Sequence, residues 1–219
     1  MRINITSIRR RFSRKKRVRT YIRGFARYLF EGLWPPVRAF WHYLSGEAKR
    51  QAVVARLRKA DIILASPRIT TLSAVALTYR LVLRSRYVHS ILYIGDGRVV
   101  HTTAKDGVVV NKLPRSIFRG DRYEIFRVKN LDREKRDQVV AEALKWRNRK
   151  LDFAGLITTI PSRLMGLRKP LLMWEKNRIW CSKLVYKAFI AENIELLPPE
   201  KAERITSEDL SRSSAVERV

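Results

Sequence analysis

The sequence predicts an α+β fold: a small antiparallel sheet packed against a helix that opens at Cys181, preceded by a basic helical N-terminal extension. Three observations carry this expectation. Residues 87–103, YVHSILYIGDGRVVHTT, are two alternating apolar arms joined by Gly95-Asp96-Gly97, the pattern of a β-hairpin. The runs Asp61 to Ala65, Gly107 to Leu113 and Tyr123 to Val128 read as further strands, which makes a sheet of four or five. Leu184, Val185, Ala188 and Phe189 follow Cys181 at helical spacing, so that helix turns an apolar face to the core. The 219 residues suffice for one domain of about 150 residues with a proper core, plus an extension.

Taken in order, residues 1–20 hold Arg9-Arg10-Arg11 and Arg14-Lys15-Lys16-Arg17, whose like charges repel and favour a solvated tail. From Tyr21 to Leu33, the residues Tyr21, Ile22, Phe25, Tyr28 and Leu29 recur at three and four while Arg19, Arg23 and Arg27 line another face, a basic amphipathic helix. Trp34-Pro35-Pro36 breaks it, and Val37, Phe40, Trp41 and Leu44 begin a second short helix that ends near Ser45-Gly46. Residues 47–59 predict a further helix with Val53, Val54 and Leu57 inward. After the first strand and Pro67, Thr70 or Thr71 caps a helix whose apolar positions are Leu72, Val75, Ala76, Tyr79 and Leu83. Asp132 is the expected N-cap of a helix over 133–147. Residues 154–179, with Pro161, Gly166 and Pro170, read as a long connector and a candidate substrate-facing wall. The expected divisions are therefore a basic helical extension over 1–59, a domain over 60–211 and a frayed tail over 212–219.

The chemistry concentrates in three residues. His89 and His101 sit one on each arm of the hairpin. A three-residue loop over Gly95 to Gly97 makes paired residue numbers sum to 192, which sets His101 opposite Ile91, on the face of His89. The two imidazoles are then cross-strand diagonal neighbours, about 7 to 8 Å apart at Cα. A two-residue loop would put them on opposite faces. Cys181, the only cysteine, sits where a helix begins, and the positive end of the dipole with a nearby His⁺ favours thiolate. One Cys and two His are the set needed for nucleophilic acyl chemistry. A zinc site is the weaker reading: no Cys-x-x-Cys or His-x-x-x-His pair exists and His42 lies in another region, so neither metal nor cofactor is expected.

The stretch His89-Ser90-Ile91-Leu92-Tyr93-Ile94-Gly95-Asp96-Gly97-Arg98-Val99-Val100-His101, the later Trp180-Cys181-Ser182-Lys183-Leu184-Val185-Tyr186 and the opening Ala60-Asp61-Ile62-Ile63-Leu64 resemble the permuted papain-like cysteine hydrolases of the NlpC superfamily. The group most resembled is the YiiX/YebB-like amidases; the lecithin retinol acyltransferase branch shares the His-then-Cys order. The resemblance covers roughly residues 60–210. It implies a circularly permuted papain-like fold with Cys181 as nucleophile, His89 as general base and His101 as the residue that orients it. Three positions depart from the family pattern: Ala60 stands where Gly is usual, Lys183 where an acidic residue is common, and Leu151-Asp152-Phe153 where relatives often have Tyr-Asp. The last leaves the backbone N–H of Cys181 as the oxyanion donor to expect.

Charge sets the partners. Lys plus Arg is 47 against 20 acidic residues, a net +27, and residues 1–59 alone carry 17 basic against 2 acidic. Such an excess attracts polyanions, whether anionic lipid surfaces or nucleic acid. A single cysteine excludes an intramolecular disulfide and suits a reducing compartment. No signal peptide is apparent, and Ile69 to Leu83, the most apolar stretch, carries Arg80 and is too short to span a bilayer. The expectation is a cytoplasmic protein, peripheral at the inner face of the membrane, that acts on an amide, ester or thioester acyl bond of a peptide or lipid, at a membrane surface or on cell-wall peptide. The competing expectation is a catalytically inactive papain-like domain that binds nucleic acid or membrane.

Overall fold

The structure, a computed structural model, describes residues 47–66, 74–114, 122–173 and 177–219. The chain divides after Ala48 into two units, Met1–Ala48 and Lys49–Val219, and the second is the subject here. The two helices expected over Tyr21 to Leu33 and Val37 to Leu44, and the basic tail, lie outside the described residues.

The fold is α+β around a six-stranded antiparallel sheet. Its strands are β1 (Ile62–Ser66), β2 (His89–Gly95), β3 (Arg98–Thr103), β4 (Gly107–Lys112), β5 (Arg122–Val128) and β6 (Val216–Arg218), in the spatial order β4-β3-β2-β1-β5-β6. Every neighbouring pair runs antiparallel. The helices are α1, which runs to residue 54, α2 (Ala74–Val82), α3 (Arg133–Lys145), α4 (Phe153–Leu164), α5 (Cys181–Ile190), α6 (Pro199–Ala202) and α7 (Ser207–Ser211).

Both faces of the sheet are covered, which is why Ile62, Ile63 and Leu64 of the central β1 are all fully buried. Even-numbered residues of β1 to β3, Ile62, Leu64, Leu92 and Val100, pack with Val139 and Ala143 of α3 and with Leu184, Val185, Ala188 and Phe189 of α5. Odd-numbered residues, Ile63, Ile91, Tyr93 and Val99, pack on the other face against Val53, Val54 and Leu57. The inward triad expected for residues 47–59 is therefore in place, and the division between extension and domain moves back from 59 to 48.

Two elements differ from expectation. Residues 153–164 of the expected connector are helical: Asp152 caps α4 by accepting from Gly155 N at 2.9 Å, although Pro161 lies inside it. Pro161 removes one donor, and Thr158, Thr159 and Ser162 turn their hydroxyls back onto carbonyls four residues earlier. The tail after 211 is not frayed at residues 216–218. They pair with β5 as Val128↔Val216 to Phe126↔Arg218 and supply the sixth strand. Asp132, by contrast, caps α3 as expected, accepting from Lys135 N at 2.7 Å.

The entry to β1 is held by a buried ion pair. Asp61 is fully buried and takes a two-pronged ion pair from Arg127 on β5, at 2.8 and 2.7 Å, while its Oδ2 also accepts from Arg58 N. To reach that position the chain passes through φ 65° at Ala60, in the left-handed region. An alanine there costs about 1 to 2 kcal/mol in local strain that glycine avoids.

Candidate active site

The hairpin brings the two histidines together by a route that differs in detail from the one expected. The turn is the two-residue Asp96-Gly97, at φ 52° and 65°, and Gly95 pairs with Arg98. Alone, this would set paired numbers to 193 and part the histidines. A register shift between Tyr93 and Gly95 restores 192, with Tyr93↔Val99 and Leu92↔Val100. His101 thus shares the face of His89. Nε2 of His89 lies 3.0 Å from Nδ1 of His101, with the rings edge to face and centroids 5.2 Å apart.

A third polar residue extends this pair. Asn111 on β4 has Nδ2 3.5 Å from Nε2 of His101. Its placement follows from pairing His101↔Val109, which gives Asn111 the same facing as His101. Sequence reasoning missed Asn111, although its odd number on β4 was the available signal.

Cys181 opens α5, as expected, directly after Trp180, whose side chain makes no capping hydrogen bond. The first N–H groups of the helix are therefore left for the sulfur. Burial pushes the thiol pKa up. Hydrogen bonds from the backbone of Ser90, from the backbone of Ser182 and Cys181, and from the Ser207 hydroxyl pull it down, and burial wins. Desolvation thus shifts the thiol in the opposite direction to the one the helix dipole alone favours. Ser207, at the start of α7, also accepts from Ser90 Oγ at 2.8 Å. Ser90 and Ser207 are two further site residues that the sequence did not flag. Lys183 is buried one turn into α5 and pairs with Glu203 at 2.6 Å, its ammonium 4.9 Å from the centre of the Trp180 ring.

Cys181 and His89 line one cavity of about 250 Å³ with Tyr79, Phe153, Leu156 and Trp180. His101 is not in its wall and stands behind His89. Helix α5 packs on the face of Leu92 and Val100, whereas the imidazoles belong to the face of Ile91 and Val99. His89 is the first residue of β2, so the cavity reaches it at the end of the strand, beside the Ser90 backbone that contacts the thiol. Helix α2 reaches the cavity through Tyr79, which lines it and donates to the Leu156 carbonyl of α4 at 2.7 Å.

Burial lowers the His89 imidazole to about 4, and burial followed by the charge of His89 lowers His101 also to about 4. Both rings are therefore neutral at pH 7. The stability gained by keeping them neutral is fully present above the unfolded value of about 6.5 and is lost as pH falls toward 4. Two of the three histidine Cε1–H resonances are expected to stay flat in an NMR titration from pH 8 to 5. Below about pH 6.5 the unfolding free energy measured in urea should fall, with a slope approaching about 1.4 kcal/mol per pH unit for each ring. Normal titration of all three histidines near 6.5 would contradict the buried pair.

Among the described residues, no cluster of His, Cys, Asp and Glu could hold a metal ion, and no helix is long and apolar enough to cross a membrane. No protein-family model and no curated protein matches the chain.

Proposed function

We propose that the chain is a cysteine-dependent acyl hydrolase or acyltransferase of the permuted papain-like type. The observation that carries this reading is the shared cavity of Cys181 and His89, with the His89 ring held at 3.0 Å by His101. In the proposed mechanism His89 takes the thiol proton as the sulfur attacks an acyl carbonyl carbon. Nε2 of His89 is engaged with His101, so the proton arrives at Nδ1. For Nδ1 to be free, His89 carries its own proton on Nε2 and donates it to Nδ1 of His101. His101 then bears its proton on Nε2 and points it at Asn111, which meets it with Oδ1 after a half-turn of the amide.

The tetrahedral oxyanion is met by backbone N–H at the start of α5, that of Cys181 first. Collapse expels the leaving group, which takes the proton from His89, and leaves a thioester on Cys181. A water or another acceptor gives its proton to His89 and attacks the thioester, releasing the acyl product and restoring the thiol. The apolar cavity wall of Tyr79, Phe153, Leu156 and Trp180 suits an acyl chain or apolar side chain beside the scissile bond. The resemblance of residues 60–210 to the NlpC superfamily supports the same reading, and the net charge of +27 supports a substrate at an anionic surface.

The test is hydrolysis of matched amide, ester and thioester substrates by the full chain, with Cys181→Ser as control. Turnover of at least one class is expected from the parent. Loss of that turnover in Cys181→Ser ties it to the thiol, and equal rates in the two would reject the reading.

A further inference from the structure

On α2, on α4 and in the segment after α4, the described surface turns large apolar side chains to solvent. Leu81 on α2, Phe153 and Leu164 on α4, and Met165, Leu171 and Leu172 after it are each at least half exposed. They belong to one neighbourhood. Tyr79 bonds α2 to α4 through the Leu156 carbonyl, and the segment after α4 folds back on it where Leu172 N and the Leu172 carbonyl both bond Thr158 Oγ1. Phe153 itself both lines the cavity and is exposed, so the apolar rim is continuous with the site.

The charge of this rim has one sign. From 74 to 88 and from 153 to 172 the chain contains no Asp or Glu, while Arg84, Arg168 and Lys169 are exposed among the leucines. Aliphatic side chains interleaved with fixed positive charge fit a surface that is apolar below and anionic above, the boundary between acyl chains and headgroups.

We infer that the rim formed by α2, α4 and residues 165–172 docks onto an anionic bilayer and opens the Cys181 cavity to the lipid. That the docked lipid is also the acyl donor rests on the proposed hydrolase activity; the docking itself does not. The basic residues over 1–59 would add long-range attraction, and the rim fixes which face meets the membrane.

Because Cys181 is the only cysteine, Cys181→Ala gives a full-length chain in which one introduced thiol takes an environment-sensitive fluorophore. Leu81→Cys, Leu164→Cys and Leu172→Cys report on the rim, and Glu134→Cys on α3 reports on a site outside it. With vesicles of phosphatidylcholine and phosphatidylglycerol, the three rim probes should shift to the blue and gain intensity, and the α3 probe should not. Vesicles of phosphatidylcholine alone should give smaller shifts. Rim probes that stay water-like while the chain floats with anionic vesicles would overturn the inference, as would a chain that does not float. Rim probes already blue-shifted without lipid would overturn it too, with residues 1–46 or a second copy as the cover. Since the chain is inactive throughout, failure here leaves the catalytic reading untouched, and loss of activity elsewhere leaves the docking untouched.

Discussion

If the proposed activity holds, Cys181→Ala and His89→Ala are each expected to remove turnover, by a factor on the order of 10⁴ or more, while the protein still folds. Cys181 contributes one small side chain at the first turn of α5, where alanine fits and extends the helix without strain. Loss of the His89 ring leaves His101 Nδ1 without its partner, a cost of about 1 kcal/mol in stability. His101 acts through His89, so its replacement grades differently. His101→Asn keeps a polar group on the same face and should retain part of the rate, whereas His101→Ala should retain less. Steady-state rates on the best substrate class, with circular dichroism of each variant, check all four. Undiminished activity in every single variant would remove the catalytic assignment.

Trp180→Ala has the largest expected effect on stability, a loss of about 3 to 5 kcal/mol. Its ring is fully buried, and its Nε1 donates to the Ile205 carbonyl at 2.9 Å, which ties the start of α5 to the segment before α7. The ring also closes on Gly155, where an added Cβ would stand 2.8 Å from Trp180 Cζ3. Removing it leaves a void between α4 and α5 and frees the turn that aims Cys181. Trp180→Phe keeps most of the volume. Since Ser182 Oγ still donates to the Ile205 carbonyl at 3.0 Å, that variant should lose about 1 kcal/mol. Urea unfolding of the two variants against the parent measures the difference, and a midpoint unchanged in Trp180→Ala would contradict this role.

The parts of the fold that the sequence announced were those with a strong period or a strong punctuation mark. The alternation around Gly95-Asp96-Gly97 placed both histidines on one face, and the pairing sum of 192 holds, although a bulge beside a two-residue turn produces it. The cap at Asp132 and the start of α5 at Cys181 were legible for the same reason. Pro161 and Gly166 hid α4, because a proline late in a helix removes one hydrogen bond without ending the helix. Strand β6 was hidden because three residues with one buried side chain, Val216, show no alternation to read. The site was half legible. Residue type and order marked Cys181, His89 and His101, but Ser90, Ser207 and Asn111 enter through contacts between segments distant in the chain. The upward shift of the thiol by burial was not legible, because a helix dipole can be read from sequence and burial cannot.

The central claim is that Cys181 is the nucleophile and His89 the base that activates it. Its most direct measurement is mass spectrometry of the full chain mixed with an activated short-chain acyl ester at neutral pH and quenched in acid. The account predicts an acyl group on the peptide that contains Cys181 in the parent and in His101→Asn, and none in His89→Ala at the same mixing time. An acyl group that forms on Cys181 equally fast without His89, or that appears only on other residues, would contradict it.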